Sequence, residues 1–367
     1  MTKIYGFVAE FNPFHNGHKF FIDEIKKKYH PDVLIAVVSG NFVQRGDFAI
    51  VDKWSRTKAA ISSGIDLVVE LPFAYAVEPA NLFARGSISL LYKLGIDTLV
   101  FGTENDLDFK DIATQLMQVD PEFDQDYSNS YANNLSLAYQ KAGLDVLNYP
   151  NQLLGLNYVE EIIRSGYNID VKTVIRKKDG ISATNIRNRI TNDDDINNLI
   201  PNITQQQFAE VRRSTWDDYY DFLKYKIQSN TVTELQQIYQ MVEGLEYKFI
   251  KEINHSDNFN DFLANIKSKR YTMARLRRLS LYTLLNIKKS EIDYVYKNPY
   301  LRILGFDSVG KKYLNNLKKD TDVPLITRIG KKETDLLSLE LKVDRIRELV
   351  DNKEQDFGRI PIMRGEN

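Results

Sequence analysis

The stretch "FNPFHNGHKFF" (residues 11–21) places His15 and His18, two of the chain's four histidines, three residues apart. Imidazoles at this spacing can bind a metal, pack as a buried pair, or donate hydrogen bonds to phosphoryl oxygens as charge builds in a transition state. Zinc takes three or four protein ligands. His30 and His255 are the only other histidines and cysteine is absent, so the metal reading lacks partners and no metal-binding residue is assigned. A structural pair stays open. The phosphate reading draws on context: Gly6 to Glu10 end an apolar run, Pro13 stiffens the connection, and a helical pattern follows with Asn16 as its expected N-cap. A helix start presents unpaired N–H groups and the positive end of the helix dipole. Gly17, without a Cβ, lets a ribose or base lie against the backbone.

"GISATNIRNR" (180–189) offers a second phosphate-facing helix start. Ser182 or Thr184 can cap it, and Arg187, about one turn inside, can fork onto phosphate oxygens. Alone it reads equally as an ordinary capped helix with surface arginines. Beside the first motif it reads as the other half of a nucleotide site. "FGTEND" (101–106) adds Gly102, where a base or ribose could approach, although a glycine after a strand is usually only a turn.

The elements that must position these groups alternate. "KIYGFVAE" (3–10), "DVLIAVVSG" (32–40), "DLVVELP" (66–72) and "IDTLVFGT" (96–103) read as buried strands, with helices predicted over 17–29, 52–63 and 79–94. This rhythm predicts an α/β fold: a Rossmann-like parallel sheet covered on both faces, with the C-terminal strand ends forming the ligand edge. From 108 to 165 the pattern is mostly helical, with "NNLSLAYQKAG" and "NQLLGLNYVEEIIRSG" as clear segments, and "YNIDVKTVIRK" (167–177) is a fifth strand. After "NDDDINNLIPN" (192–202) strand signals fade, and 204–300 read as helices rich in Tyr, Phe and Leu. The expected division is an α/β domain over 1–200 and a mainly helical domain over 201–367.

At 367 residues, 43% hydrophobic and 27% charged, the composition is that of a soluble globular protein. No apolar run approaches the roughly 20 residues of a membrane span, and the opening "MTKIYGFVAE" lacks the features of a signal peptide, so a cytoplasmic enzyme is the expectation. The absence of cysteine excludes disulfides and thiol nucleophiles. Net charge is −1, yet "KSKRYTMARLRR" (267–278) carries six Lys/Arg and no acid. Such a stripe on a neutral protein suits contact with a polyanion, although a charge run is more often only a solvated face. It reads as a helix with Met273, Leu276 and Leu279 inward and several of Arg270, Arg275, Arg277 and Arg278 toward solvent. Lys53, Arg56, Lys311 and Lys312 are expected to extend the track.

The pairing of "HNGH" with "ISATNIR" resembles the nucleotidyltransferase superfamily, relatives of class I aminoacyl-tRNA synthetases. "AEFNPFHNGH", "SGNFVQRGDFAIVDKWSRTKAAISSGIDLVVELP", "RYTMARLRRLSLYTLL" and "LRILGFDSVGKKYL" are similar, over nearly the whole chain, to the bacterial tRNA(Met) cytidine acetate ligase family. That resemblance implies a two-step ligation: acetate attacks the α-phosphate of ATP to give acetyl-adenylate, and N4 of the wobble cytidine of elongator tRNA(Met) then takes the acetyl group. It places ATP binding on Phe7, Val8, Ala9, Glu10, Phe11, Asn12, Pro13, Phe14, His15, Asn16, Gly17, His18, Lys19 and Phe20, and on Gly102, Asn157 and Arg176. Ser182 and Arg187 match the second superfamily motif, so phosphate contacts are expected there, with His15, His18 and Arg187 as the catalytic set and Arg270, Arg275, Arg277, Arg278, Lys53 and Arg56 toward tRNA.

Carboxylate activation needs no protein nucleophile, only positioning and neutralised phosphates. Mg²⁺ held through phosphates and water is expected, and no membrane or obligate protein partner. For acetate, the backbone amides of "SGNFVQRGD" (39–47) with Gln44 or Arg45 are candidates, against a plain connection. Two other functions compete. An adenylyltransferase acting on a small phosphorylated cofactor precursor would leave 204–367 unexplained, and a non-catalytic RNA-binding protein with a nucleotide pocket predicts loss of the histidines or Arg187, all of which are present. A full aminoacyl-tRNA synthetase is disfavoured because no Lys-Met-Ser-Lys-Ser-like loop appears.

Overall fold

A computed structural model describes residues 2–118, 149–177 and 182–364; the predicted helix over "NNLSLAYQKAG" and the first residues of "GISATNIRNR" lie outside them. The five predicted strands are present as β1 (Ile4–Ala9), β2 (Val33–Ser39), β5 (Leu67–Leu71), β6 (Thr98–Thr103) and β7 (Asp170–Ile175), with the small β3 (Phe42–Val43)–β4 (Asp47–Phe48) hairpin after β2. β5, β2, β1, β6 and β7 lie side by side in that order, all parallel. All seven residues of β2 are buried, as a central strand covered on both faces requires. Alternation along it builds two cores. Val33, Ile35 and Val37 share a layer with Leu99, Phe101 and helices Ala80–Lys93 and Pro150–Arg164. Leu34, Ala36 and Val38 share the other with Phe7 and with helices α1 (Asn16–Tyr29) and α2 (Lys53–Ser62). Each such side chain contributes about 1.5–3 kcal/mol on burial, which fixes the register and so the level at which each strand delivers its last residue.

The division at residue 200 needs correction. Helices do run from Asn202 to Lys297, but the chain then returns to the sheet. β8 (Leu301–Phe306) pairs antiparallel with β5, and β9 (Leu325–Ile326) and β10 (Ile362–Met363) add to β8 in parallel. "LRILGF" is a short apolar run that periodicity cannot tell from a helix segment, and its pairing partner lies far back in the sequence. The helices between do not stand apart either. Phe42, Phe48 and Phe73 from the sheet side share a core with Trp216, Tyr219 and Tyr282, and the Phe48 and Tyr219 rings stack at 3.8 Å.

Candidate active site

Helix α1 starts one residue earlier than expected: His15, extended at φ −139° and ψ 170°, is its N-cap in place of Asn16. His15 Nδ1 accepts the Gly17 N–H at 3.0 Å, and the His15 N–H donates to His18 Nδ1 at 3.3 Å, closing a reciprocal cap built from two imidazoles. The rings stack with centroids 3.7 Å apart. The Asn16 N–H donates to the Leu199 carbonyl, and those of His18 and Lys19 to the His15 carbonyl. All four leading amides are therefore occupied, and the expectation of free N–H groups at this helix start is corrected. What remains for a ligand is the imidazole edge.

The hydrogen bonds also assign the tautomer. Each Nδ1 lone pair accepts a backbone N–H, so the proton of each neutral ring sits on Nε2. Burial, followed by the charges of Arg176 and Arg187, pushes His15 down to about 4. Burial, His15 and Arg176 push His18 well below the usual imidazole range. At neutral pH the pair is uncharged and carries two Nε2–H donors.

The aromatic residues of the motif hold this geometry. Phe11 and Phe14 flank the His18 ring at 5.0 and 5.6 Å, and Phe7 packs on Phe11 and Phe21. Phe7, Phe11 and Phe14 are thus core side chains that pack the turn. Phe11 turns the chain at φ 49°, a left-handed conformation that costs a non-glycine residue on the order of 1–2 kcal/mol; burial of its ring offsets this. Val8 and Ala9 lie within β1, and Pro13 is buried at the turn. Asn12 Oδ1 accepts the Ile50 N–H, and Asn16 Nδ2 donates to the Asn198 carbonyl. Lys19 pairs with Asp23 in solvent, and the Lys177 ammonium lies 4.3 Å over the Phe20 ring.

The structure brings the second motif onto the first. Arg187 Nη1 donates to the Asn12 carbonyl at 2.6 Å and its Nη2 to Thr184 Oγ1 at 3.2 Å. Ser182 caps helix Ala183–Thr191 by accepting the Asn185 N–H, and among the described residues the N–H groups of Ala183 and Thr184 have no acceptor. A helix start of this kind, with leading amides unpaired among the described residues, is where an anion is favoured. Arg176 follows β7, donates its N–H to the Thr103 carbonyl, and lies beside Gly102, where an added Cβ would stand 3.4 Å from Arg176 Cγ. Asn157 is the outlier: its amide donates to the Leu153 carbonyl of its own helix.

Glu10 leaves β1 next to this clamp. Its Oε1 accepts the Gln44 N–H at 2.8 Å, and burial raises its pKa against the pull of Arg187 and Arg45. The β3–β4 hairpin that carries Gln44 and the exposed Arg45 is held by the basic stripe. Gly46 sits at φ 79° with the Arg278 backbone 2.5 Å from where a Cβ would be. Arg277 pairs with Asp47 at 3.2 Å, and Arg278, 8% exposed, donates to the Gln44 carbonyl at 3.4 Å. The pairing of Asp47, the place of Tyr158 and this bracing escaped sequence reasoning; "SGNFVQRGD" offered only a candidate acetate loop or a plain connection, with no sign of its distant partners.

Several tRNA-facing assignments are corrected. Lys53 is fully buried; burial alone would lower its pKa, but Asp344 at 2.6 Å, Asp356 at 3.3 Å and Glu70 at 3.0 Å hold it well above the usual lysine range. Arg56 is also fully buried and donates to the carbonyls of Val51, Glu10, Ser39 and Gly40. α2 runs beneath the loop after β2, so its charges serve the interior. Lys311 and Lys312 are exposed, but their helix (Ser308–Asp320) is pinned through Asp307 to the Asp66 carbonyl at the start of β5, the edge opposite the site. Arg277 and Arg278 brace the hairpin, and Met273, expected inward, is 40% exposed while Leu276 and Leu279 are buried. Arg270, paired with Glu243, and Arg275, stacked over Tyr271, remain toward solvent.

The model of the HIGH nucleotidyl transferase family matches residues 2–359. A tRNA(Met) cytidine acetate ligase of Lactobacillus gasseri is 39% identical over 98% of this chain and 99% of that protein. The chain belongs to the tRNA(Met) cytidine acetate ligase family. The Lactobacillus helveticus member is likewise 39% identical over 98% of the chain. In three dimensions, Thermotoga maritima TmcAL bound with alpha-thio ATP superposes with a TM-score of 0.89 at 29% identity, covering 98% of this chain and 99% of that one. Family membership accounts for a HIGH-type turn in which both histidines are retained in full capping geometry.

Proposed function

We propose that the chain is an ATP-dependent tRNA(Met) cytidine acetate ligase working through acetyl-adenylate. The observation that carries the reading is the stacked His15–His18 pair, whose Nδ1 atoms are both used on backbone amides so that each Nε2 carries a proton to donate, with Arg176 and Arg187 close enough to depress the His15 imidazole. Neutral donors and guanidinium groups on the ligand edge suit a triphosphate whose α-phosphorus gains negative charge as acetate attacks and pyrophosphate leaves. The amides of Ala183 and Thr184, without an acceptor among the described residues, add two more donors. Asp47 is paired with Arg277, so Mg²⁺ would be held mainly by phosphate oxygens and water, and would neutralise the leaving pyrophosphate. Acetate is the nucleophile; Arg45, the exposed cation of the hairpin, is the candidate for steering it.

In the second step N4 of the wobble cytidine of elongator tRNA(Met) takes the acetyl group. The helical segment 201–300 carries the RNA, with Arg270 and Arg275 on phosphates. The enzyme acts in the cytoplasm, where ATP, acetate and tRNA meet. The test is to incubate the protein with labelled ATP and acetate, with and without tRNA(Met), and to follow acetyl-adenylate and acetylated RNA. Acetate-dependent adenylate and tRNA-dependent N4-acetylcytidine are expected. AMP transfer to a phosphorylated small molecule without acetate would overturn the reading.

A further inference from the structure

Acetyl transfer to cytidine requires that N4 lose a proton as the new C–N bond forms, and among the described residues His15, His18, Arg176 and Arg187 of the phosphate clamp cannot take it. His15 and His18 have their Nδ1 lone pairs on backbone amides and protons on Nε2. Arg176 and Arg187 carry no free lone pair. Asp47 is held by Arg277 at 3.2 Å. Glu104 accepts the Asn151 amide at Oε1, and its Oε2 is buried out of reach of a substrate, while the buried Tyr158 phenol is pushed further up by burial and by Glu10. Glu10 is left. It stands at the end of β1 on the ligand edge, and its Oε1 is fixed by the Gln44 N–H at 2.8 Å. Its Oε2 takes no hydrogen bond, and no cation lies within 4.0 Å of the carboxylate among the described residues.

We propose that Glu10 Oε2 is the general base of the acetyl-transfer step, an assignment that rests on the ligase reading. The N4 lone pair attacks the acetyl carbonyl carbon of acetyl-adenylate, and the N4 proton passes to Glu10. The C–O bond to the phosphate then breaks, AMP leaves with that electron pair, and Glu10 returns its proton to water. The groups facing Glu10 suit this cycle. Arg187 from helix Ala183–Thr191 and Arg45 from the hairpin favour the carboxylate, while Asp47, also on the hairpin, favours the acid; the Tyr158 phenol stays neutral. Burial outweighs the rest and raises the carboxyl toward the range in which a base is effective.

The test separates the two steps in the full-length protein. Acetate-dependent ATP–pyrophosphate exchange reads adenylation, and single-turnover transfer from preformed acetyl-adenylate to tRNA(Met) reads the second step. Glu10→Gln is expected to slow transfer by about 100-fold or more beyond any change in exchange, and to abolish the acid limb of the transfer pH profile. Glu10→Asp, which keeps the carboxylate, is expected to retain that limb at a reduced rate. Equal falls in both steps, with a raised Mg²⁺ requirement, would make Glu10 a phosphate or ion ligand and overturn the assignment. So would a wild-type transfer rate flat across acidic pH, a measurement that does not depend on any variant folding. Absence of acetate-dependent exchange in the wild type would instead reject the ligase reading itself.

Discussion

The HIGH-type turn at 11–18 and the basic stripe at 267–278 are both short and conspicuous in sequence, yet they relate to structure in opposite ways. In the turn, an N-cap and its N3 residue face each other whatever surrounds them, so two histidines three apart must meet at the helix start. In the stripe, four arginines in one run divide by what the helix Met273–Leu284 packs against. Arg278 is buried and Arg277 tied to Asp47, while Arg270 and Arg275 stay toward solvent. Chemistry set by local geometry survives translation into structure; chemistry inferred from charge alone depends on a distant partner.

The largest test of that contrast is Lys53. If it were part of a polyanion track, Lys53→Met would reduce the salt dependence of tRNA binding. Instead, breaking its buried contacts with Glu70, Asp344 and Asp356 is expected to cost about 3–5 kcal/mol in stability, read by chemical denaturation. Next comes His18→Ala, expected to slow acetate-dependent ATP–pyrophosphate exchange by about 10²–10³-fold, or about 2.7–4 kcal/mol, while tRNA binding is nearly unchanged in a filter assay. Equal loss of tRNA binding would make the pair structural.

A smaller effect is the pH dependence of the histidine cap. Because His15 is depressed from 6.5 to about 4 in the folded protein, the unfolded chain takes up the proton first. The stability held by the neutral ring is complete above about pH 6.5 and is lost as pH falls toward 4. His15→Asn, which keeps an N-cap acceptor without a titrating ring, is expected to flatten unfolding free energy measured across that window. Smallest are the exposed Arg270 and the half-buried Arg275. Arg270→Ala and Arg275→Ala are each expected to lower the salt slope of tRNA binding by roughly one with stability little changed. Arg278→Ala is expected to act the other way, on stability and adenylation, because it props the Gln44–Gly46 turn.

Much of the fold was legible because it is written in local period. The runs at 3–10, 32–40, 66–72, 96–103 and 167–177 all became parallel strands of one sheet. "LRILGF" was not legible, since six apolar residues fit a strand or a helix and only docking against β5 decides. In the site, His15, His18, Ser182 and Arg187 could be singled out by residue type and spacing, although the N-cap of the first helix is His15 and not the expected Asn16. The Arg187–Asn12 contact, the Glu10–Gln44 contact and the Arg277–Asp47 brace could not, because each joins segments distant in the chain.

By itself, then, the sequence determined the strand-and-helix alternation, the three-residue spacing of the two histidines and the positions of the two helix starts, since contacts within a few residues dictate each. The tertiary structure decided which charges stay toward solvent and the ligand edge and which are struts. Lys53 and Arg56 look like surface cations in a string of letters, but an amphipathic helix turned toward buried carboxylates and strand-end carbonyls makes them part of the interior. A charge takes its role from the dielectric and the partners around it, and those are supplied by residues far away in the chain.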